Sequence, residues 1–504
     1  MPHVLGIDVG TGGTRALVVD QQGAVVGAAT ADHVPFASPE TGWAEQDPRD
    51  WWRATTEAVP RALAQAKVEG ASIAAVGLTG QMHGSVLLDD RGEVVRPALL
   101  WCDQRTAREC AHITETVGAA RLIELTSNPA LTGFTLPKLL WVRGQEPAAW
   151  KRVASVLLPK DYVRFRLSGV RATDVADASG TLLFDVSRRT WSEAMLDLMD
   201  LPASLLPDAF ESPDQTGVVS GEGAAATGLR AGTPVVAGGG DQAAGAVGIG
   251  IVRPGAVSAT LGTSGTVFAA TDRPARDPHG RVHTFCHAVP GTWHVMGVTQ
   301  AAGLSLRWFR DQFGLGPQAN MDGDPYDHLT DEAADIAPGA DGVLWAPYLM
   351  GERTPHLDPH ARAALVGLAA SHTRGHVIRA ILEGVAFSLR DSFTILGEMG
   401  VPVTAVRLGG GGARSKVWRQ IQADVYGQEV ERLRTDEGAA YGAALLAGVG
   451  ARIWPSVVAA CDAVVRVADR TVPDAAAAQL MDRQYRAYRA IYPALRQVRE
   501  ARDA

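Results

Sequence analysis

Two aspartates stand where apolar segments of the chain end, and their carboxylates could take part in chemistry. Asp8 lies within the apolar run Val4–Val9, and Asp241 follows the glycines at 238–240. A carboxylate in such a place is costly to bury unless it is paired or bound to a metal. Asp8 could hold Mg²⁺, directly or through water, or it could cap a turn. Asp241 could act as a general base, or it could be a helix N-cap.

Glycine-rich turns interrupt two apolar stretches, one in each half of the chain. Residues 10–14 read Gly-Thr-Gly-Gly-Thr, and residues 262–266 read Gly-Thr-Ser-Gly-Thr. Each is predicted to be the turn of a β-hairpin. Glycine lets the backbone approach a ligand closely, and amides and hydroxyls can donate to phosphate oxygens. The pair favours phosphate binding over plain tight turns, and its repetition indicates a duplicated unit.

Two short polar segments follow other apolar runs in the first half. His83 stands among small residues after the run 74–78, where a ligand could reach it, although it could also be a structural histidine. Asp103 and Arg105 lie within the segment 101–105, Trp-Cys-Asp-Gln-Arg. Such a set can hold a polyol through charge-assisted hydrogen bonds, and it can equally be a buried ion pair.

The composition narrows the class of protein. The chain has 504 residues, 46% hydrophobic and 20% charged, with a formal net charge of −8 and no basic block, which argues against nucleic acid as a partner. The Walker A pattern is absent, but backbone amides can still hold the phosphates of ATP. No apolar run reaches the roughly 20 residues that span a bilayer, and no signal peptide is visible. We therefore expect a cytoplasmic protein without a membrane partner.

Predicted strands and helices alternate in both halves, which indicates an α/β fold. Residues 377–393 and 415–426 have helical spacing, and the tail from 473 to 504 is predicted to form one or two amphipathic helices. The length suggests more than one domain. We expect two α/β domains, residues 1–250 and 251–504, with a cleft between them that holds the site.

Seven segments together resemble the FGGY family of carbohydrate kinases over nearly the whole chain. In chain order they are WAEQDPRDWW at 43–52, GLTGQMHG at 77–84, LLPKDYVRFRLSG at 157–169, AGGGDQAAGAVG at 237–248, LGTSGT at 261–266, YLMGERTPH at 348–356 and LGGGGARSKVWRQIQAD at 408–424. The methionine–histidine–glycine segment, the GERTPH segment and the late glycine run are the specific ones.

The resemblance implies two ribonuclease H-like domains, as in actin and sugar kinases, that close over an interdomain cleft. It implies ATP and Mg²⁺ as cofactors and a small-molecule sugar as substrate. The implied reaction phosphorylates the 5-hydroxyl of D-xylulose to give D-xylulose 5-phosphate in xylose catabolism. Asp241 would be the proton acceptor, and Asp8 would act close to Mg²⁺ and the transferring phosphate. A homodimer is also an expectation from the resemblance.

The resemblance assigns further residues to the two ligands. The sugar site would comprise Met82, His83, Trp101, Asp103, Arg105 and Gln242. The ATP site would comprise Thr11, Gly12, Gly13, Thr14, Arg15, Gly262, Thr263, Ser264, Gly410, Gly411 and Arg414.

Two departures from the family pattern bear on the sugar. Cys102 stands where many relatives have asparagine, and Gln242 stands where some have asparagine. A kinase for another ketose or polyol, such as ribulose, glycerol or gluconate, is therefore the nearest alternative. A non-catalytic actin-like nucleotide switch and a sugar sensor without turnover are more distant alternatives.

Overall fold

The structure is a computed structural model that describes residues 2–314, 324–434 and 437–503. Within these residues, no helix is both long enough and apolar enough to cross a membrane.

The β-strands of the described residues have the following bounds: β1 His3–Val9, β2 Gly13–Val19, β3 Val25–Asp32, β4 Glu45–Gln46, β5 Ile73–Gly80, β6 Val86–Leu88, β7 Ala98–Leu99, β8 Ser155–Leu157, β9 Ala172–Asp174, β10 Phe184–Asp185, β11 Thr190–Trp191, β12 Asp208–Phe210, β13 Gln215–Val218, β14 Pro234–Val236, β15 Gly239–Gly240, β16 Gly255–Leu261, β17 Gly265–Thr271, β18 His283–Cys286, β19 Trp293–Thr299, β20 Leu344–Ala346, β21 Ala364–Val366, β22 Val403–Gly410, β23 Val430–Leu433 and β24 Val467–Thr471.

The α-helices have these bounds: α1 Pro48–Ala66, α2 Ala107–Val117, α3 Ala119–Thr126, α4 Thr135–Gln145, α5 Pro147–Trp150, α6 Pro159–Ser168, α7 Val175–Ala178, α8 Glu193–Leu198, α9 Gly221–Thr227, α10 Asp241–Gly248, α11 Gly303–Phe313, α12 Pro325–Ala334, α13 Arg374–Glu398, α14 Lys416–Tyr426, α15 Gly438–Gly450, α16 Val457–Val464 and α17 Ala475–Asp503. Short 3₁₀ turns lie at Ser179–Thr181, Ala203–Leu205, Ala340–Gly342 and Gly411–Ala413.

Two seven-stranded sheets form the centres of the two halves. The first has the order β13-β14-β5-β1-β2-β3, with β15 also paired to β5, and the second has the order β18-β19-β17-β16-β22-β23-β24. In each sheet an antiparallel hairpin, β1–β2 or β16–β17, lies beside a parallel partner, β5 or β22. The same local topology in both halves supports duplication, and both predicted hairpins are confirmed.

The central strands are buried on both faces, which explains their apolar sequences. In β1, Val4, Leu5 and Ile7 have no exposed surface, and in β16 the same holds for Val257 and Ala259. Helices therefore cover both faces of these strands, and the two-domain α/β fold of the prediction is confirmed.

The chain returns to the first sheet near its end. Helix α15 packs on β1 and β5, and its Ala440 and Ala444 share a buried cluster with Val4 and Leu17. A Cβ atom at Gly6 would lie 1.9 Å from the carbonyl oxygen of Ala440, so the close approach of strand and helix requires glycine. Residues after 250 thus complete the core of the first half.

The helical predictions for residues 377–393 and 415–426 are confirmed by α13 and α14, and the tail forms one helix, α17. The tyrosines of that helix pack inward: Tyr488 is 1% exposed, and its hydroxyl lies 3.0 Å from that of Tyr348.

Candidate functional site

Neighbouring strands bring Asp8 and Asp241 to one edge of the first sheet. In the parallel register Asp8 pairs with Thr79 of β5, which in turn pairs with Gly239 of β15. Asp241 is the first residue of α10, directly after β15. Because the carboxyl ends of these parallel strands share an edge, the two carboxylates lie where ligands bind in open α/β sheets.

Burial and mutual repulsion make Asp241 a weak acid. Removal from water and then the charge of Asp8 raise its pKa to about 7, against the stabilising hydrogen bonds from Gln242. The N-cap of α10 is Gly240, and no side chain caps this helix end. Asp241 is therefore not the N-cap, and a carboxyl that titrates near neutral pH fits a general base.

Asp8 has the unsatisfied oxygen that a cation could bind. Burial raises the pKa of Asp8 to about 6, although the charge of Arg15 opposes this rise. Its buried Oδ1 has no hydrogen-bond partner among the described residues. An orphaned carboxylate oxygen beside a second carboxyl suits Mg²⁺, which prefers oxygen ligands and keeps several positions for water and phosphate.

Hydrogen bonding fixes the tautomer of His83. Its Nδ1 lies 2.8 Å from the carbonyl oxygen of Gly180, and a carbonyl can only accept, so Nδ1 carries the proton. Burial and the charge of Lys138 lower the pKa of His83 to about 3, so the ring stays neutral and Nε2 offers a lone pair. His83 can therefore accept a hydrogen bond from a hydroxyl.

The backbone of His83 is held by a lysine that the sequence analysis missed. His83 has φ of 68°, and its carbonyl oxygen accepts from Lys138 Nζ at 2.9 Å and Thr135 Oγ1 at 3.1 Å. Lys138 also donates to the oxygen of Gly133 at 2.6 Å, and burial lowers its pKa to about 7. The signal in the sequence is a single lysine within the otherwise apolar start of α4.

Met82 and Trp101 border the same region. Met82 is 5% exposed and packs on Gly240, where a Cβ atom would lie 2.7 Å from its Cγ. This contact brings the His83 loop next to the start of α10. Trp101 is 43% exposed and donates its indole N–H to Thr11 Oγ1 at 3.0 Å, so its ring borders the first glycine turn.

Asp103 and Arg105 form a buried ion pair, the second of the two alternatives left open by the sequence. Arg105 Nη2 lies 2.7 Å from Asp103 Oδ2, and its Nη1 lies 2.7 Å from Glu45 Oε1. The guanidinium also stacks 3.6 Å from the ring centre of Trp43, and the Ala44 amide donates to Asp103. Both side chains are almost fully buried and are bonded to protein partners.

Three side chains of the first glycine turn have partners within the protein. Thr14 Oγ1 bonds the His33 ring at 2.9 Å, and Arg15 forms a 2.6 Å ion pair with Glu437. The Thr11 hydroxyl donates to Gln81 at 3.1 Å. The Arg15 side chain is nevertheless 41% exposed, and a Cβ atom at Gly12 would meet nothing within 4 Å. The turn therefore offers backbone amides to a ligand more than side chains.

The second glycine turn borders a cavity of about 340 Å³ in the second half. Its lining residues are Leu261, Gly262, Thr263, Gly303, Leu306, Arg307, Asp324, Tyr326, Asp327, Thr330, Gly411, Gly412, Arg414, Ser415 and Trp418. Four residues of the predicted ATP site, Gly262, Thr263, Gly411 and Arg414, thus line one cavity, whereas Ser264 and Gly410 are not among its lining residues.

Side chains from outside the recognised motifs complete this cavity. Tyr326 supplies an aromatic ring, Arg307 a cation, and Asp324 and Asp327 supply carboxylates, all from the region of α11 and α12. Aromatic and apolar walls with a few polar groups are typical of small-molecule sites. No motif marked these residues, because they become neighbours only when α12 packs beside α14.

Comparison with known proteins identifies the family. Residues 3–248 match the N-terminal domain of the FGGY family of carbohydrate kinases, and residues 257–451 match its C-terminal domain. Xylulose kinase of Bacillus subtilis (strain 168) is 40% identical over 492 residues, which cover 98% of this chain and 97% of the relative. Xylulose kinase of Escherichia coli (strain K12) is 41% identical over 455 residues, covering 90% and 91%.

A solved structure agrees with this result. Xylulose kinase from Rhodospirillum rubrum superposes with a TM-score of 0.91 at 34% identity, covering 98% of this chain and 99% of that one. With two family domains matched and relatives aligned along almost the whole chain, the protein belongs to the FGGY family of carbohydrate kinases, which are phosphotransferases.

Proposed function

We propose that this kinase transfers the γ-phosphoryl group of ATP to the 5-hydroxyl of D-xylulose. The observation that carries the proposal is the pair Asp8 and Asp241, with a pKa of about 7 for Asp241, at the sheet edge beside His83. The similarity to xylulose kinases supports the choice of sugar. The product, D-xylulose 5-phosphate, fits a step in the use of xylose.

Asp241 is the proposed proton acceptor. Its ionised carboxylate takes the proton of the sugar hydroxyl while the hydroxyl oxygen forms a bond to the γ-phosphorus and the bond to ADP breaks. Base catalysis of this kind typically contributes roughly 10²–10⁴-fold. A pKa near neutrality keeps the group both ionised at working pH and basic enough to accept the proton.

The sugar is proposed to lie between the carboxylate pair and the loop of Met82 and His83. His83 accepts from a sugar hydroxyl through Nε2, and Lys138 holds its backbone. Trp101 offers an exposed ring face beside the first glycine turn, and Gln242 follows Asp241 directly in the chain. These groups orient the 5-hydroxyl and exclude water, which would otherwise compete as a nucleophile.

The nucleotide is proposed to occupy the cavity of the second half. Gly262 and Thr263 lie at its phosphate end, and Tyr326 and Arg414 line the part that would hold the adenosine. Asp8 is the residue that would hold Mg²⁺ through its orphaned Oδ1. When bound, Mg²⁺ supplies neutralisation of the phosphate charges.

The test is ADP release with MgATP in the presence of D-xylulose, D-ribulose, L-ribulose, glycerol or no sugar. Strong turnover with D-xylulose and little with the others is the expected result. Preference for another member of the panel would retain the kinase mechanism and correct the substrate. Equal ADP release with and without every sugar would contradict the proposal and favour a nucleotide switch or a sensor.

The family resemblance also leads us to expect a homodimer. Light scattering coupled to size-exclusion chromatography would measure the mass directly, and a monomer near 53.1 kDa would contradict this expectation.

A further inference from the structure

Arg353 carries a charged side chain for which the fold provides no partner. It lies between β20 and β21 and is half-buried. Its backbone N–H donates to Glu352 Oε1 at 2.8 Å, but its guanidinium forms no hydrogen bond or ion pair with any residue in the three described ranges. Burial lowers its pKa, with Glu352 as the opposing charge. A guanidinium without protein partners is free to bind a ligand.

The segment around Arg353 is firmly attached, so the lack of partners does not come from a loose loop. Glu352 accepts from the Gln300 amide at 2.9 Å and from Thr299 Oγ1 at 2.6 Å. The amide of Thr354 donates to the oxygen of Val298 at 2.9 Å. These bonds fix the backbone on both sides of Arg353 to the end of β19.

A cluster of rings locates the Arg353 side chain at the sugar end of the site. The His83 ring lies 4.9 Å from Phe134 and 6.2 Å from Phe285, and His283 stacks on Phe285 at 5.6 Å. Thr354, the residue after Arg353, donates through Oγ1 to the oxygen of Arg281 at 2.8 Å, two residues before His283, so Arg353 lies next to the strand that carries this cluster. In agreement, the positive charge of Arg353 contributes to the lowered pKa values of both histidines. The cluster joins the two halves of the chain next to the proposed sugar.

The charge of Arg353 is not among the causes of the pKa shifts of Asp8 and Asp241. The pKa of Asp8 is set by burial and Arg15, and that of Asp241 by burial, Asp8 and Gln242. This agrees with the backbone contact that places Arg353 next to the histidine cluster.

We propose that Arg353 is a substrate-binding residue that donates hydrogen bonds to an oxygen at the end of the sugar remote from the phosphorylated hydroxyl. The inference rests on the proposed function. Arg353 can only donate, whereas neutral His83 can only accept through Nε2. In a 2-ketose phosphorylated at its 5-hydroxyl, the remote end carries the carbonyl oxygen, which can only accept. The two side chains thus form a donor–acceptor pair that distinguishes a ketose from a polyol without a carbonyl.

The test compares Arg353→Met and Arg353→Lys with the unaltered enzyme. Sugar binding is measured by titration calorimetry without ATP, and KM for D-xylulose, KM for ATP and ATP hydrolysis without sugar are measured by ADP release. Loss of a charged hydrogen bond predicts about 10- to 100-fold weaker D-xylulose binding in Arg353→Met. We expect a smaller loss in Arg353→Lys, because the charge remains and the fork of donors is lost.

The matched control is Arg362→Met, which removes an exposed arginine whose guanidinium bonds only local carbonyl oxygens. We expect wild-type values for this variant, and an unchanged KM for ATP and unchanged sugar-free hydrolysis in all three. Melting curves identify variants that fail to fold. If Arg353→Met does not fold, the comparison is made between Arg353→Lys and the unaltered enzyme.

The outcomes separate this inference from the proposed function. Unchanged sugar binding, or a rise in KM for ATP alone, would overturn the role of Arg353 while the wild-type turnover upholds the kinase. If the sugar panel identifies another substrate, the same comparison is made with that sugar. Absence of sugar-dependent turnover in the unaltered enzyme would overturn the proposed function, and this inference with it.

Discussion

Asp8 and Asp241 are two partly buried carboxyls that the strand register brings to one site. Burial is the larger cause of both raised pKa values. Repulsion from the charge of Asp8 raises the pKa of Asp241 further. The fold therefore favours the protonated form of both carboxyls. Keeping them ionised at neutral pH lowers the free energy of unfolding. Such a cost is typical of catalytic carboxyls, because a base of ordinary pKa would accept a proton poorly.

This electrostatic arrangement predicts a pH dependence of turnover. Asp241 must be ionised to accept a proton, so kcat/KM for the sugar should rise as the pH increases through about 7. A higher Mg²⁺ concentration should move the rise to lower pH, because a cation at Asp8 favours the ionised form of its neighbour. Initial rates of ADP release between about pH 5 and 9 would measure both effects, and a rate that is independent of pH across this range would contradict the assignment of Asp241.

Replacing Asp241 by asparagine should separate activity from stability. Loss of the base predicts a fall of roughly 10²–10⁴-fold in kcat with little change in ATP affinity. The carboxyl titrates near 3.8 in the unfolded chain and near 7 in the fold, so the folded state binds more protons between these values and loses stability as the pH rises. The amide of asparagine does not ionise, so the variant does not lose stability in this way. Asp241→Asn should therefore melt at a higher temperature than wild type at pH 8.

The matched control for that variant is Asp90→Asn, at an exposed carboxylate in a surface turn. We expect wild-type kcat and melting temperature for it. Wild-type turnover in Asp241→Asn would remove Asp241 from the mechanism, and a lower melting temperature at pH 8 would contradict the cost that burial places on its charge.

Sequence could identify Asp8, His83 and Asp241 as candidates, because Asp8 lies near the end of an apolar strand, the other two follow such strands, and strand ends meet at a sheet edge. It could not decide between ligand contact and internal pairing for Asp103 and Arg105. That choice depends on Glu45 and Trp43, which reach Arg105 only in the folded chain. Arg15 is a similar case, since its partner Glu437 lies in the other half of the sequence.

Among the helices, α10 and α15 cross at unusually short range, and α10 begins with Asp241. A Cβ atom at Gly442 would lie 1.7 Å from the oxygen of Ala244. Gly442→Ala should therefore push the helices apart, destabilise the protein by about 1–3 kcal/mol or more, and lower kcat by displacing Asp241. Melting curves and ADP release measure the two effects.

Gly245→Ala is the control for stability, because it lies in α10 and a Cβ atom there would meet nothing within 4 Å. It should be neutral or stabilising by up to about 1 kcal/mol, since alanine favours helix over glycine. Equal melting temperatures for Gly442→Ala and Gly245→Ala would show that the crossing of α10 and α15 tolerates a side chain. The short distance between the helices would then not be what positions Asp241.

Local pattern predicted α13, α14 and both glycine hairpins because their apolar spacing and turn residues are contained within each element. The same reasoning could not predict that α15 lies on the first sheet. Its sequence, rich in alanine and glycine, indicates a buried helix but carries no sign of which sheet covers it. Local pattern also could not predict α7 and α9, because short helices that begin at Asp174 and Ser220 caps leave a weak periodic signal.

The return of α15 has a consequence for the whole molecule, because the proposed boundary at residue 250 cuts through a shared core. Without the later residues, Val4, Leu17 and Val19 lose the cover of α15 and α16. Each large apolar side chain left in water costs roughly 1.5–3 kcal/mol of folding free energy, and a typical domain is stable by only about 5–15 kcal/mol.

A fragment of residues 1–250 should therefore lack a cooperative melting transition and bind a hydrophobic dye, as measured by near-ultraviolet circular dichroism and fluorescence. Adding residues 251–504 as a separate chain should restore the transition by covering the exposed sheet, whereas cooperative unfolding of the first fragment alone would make the two halves independent domains.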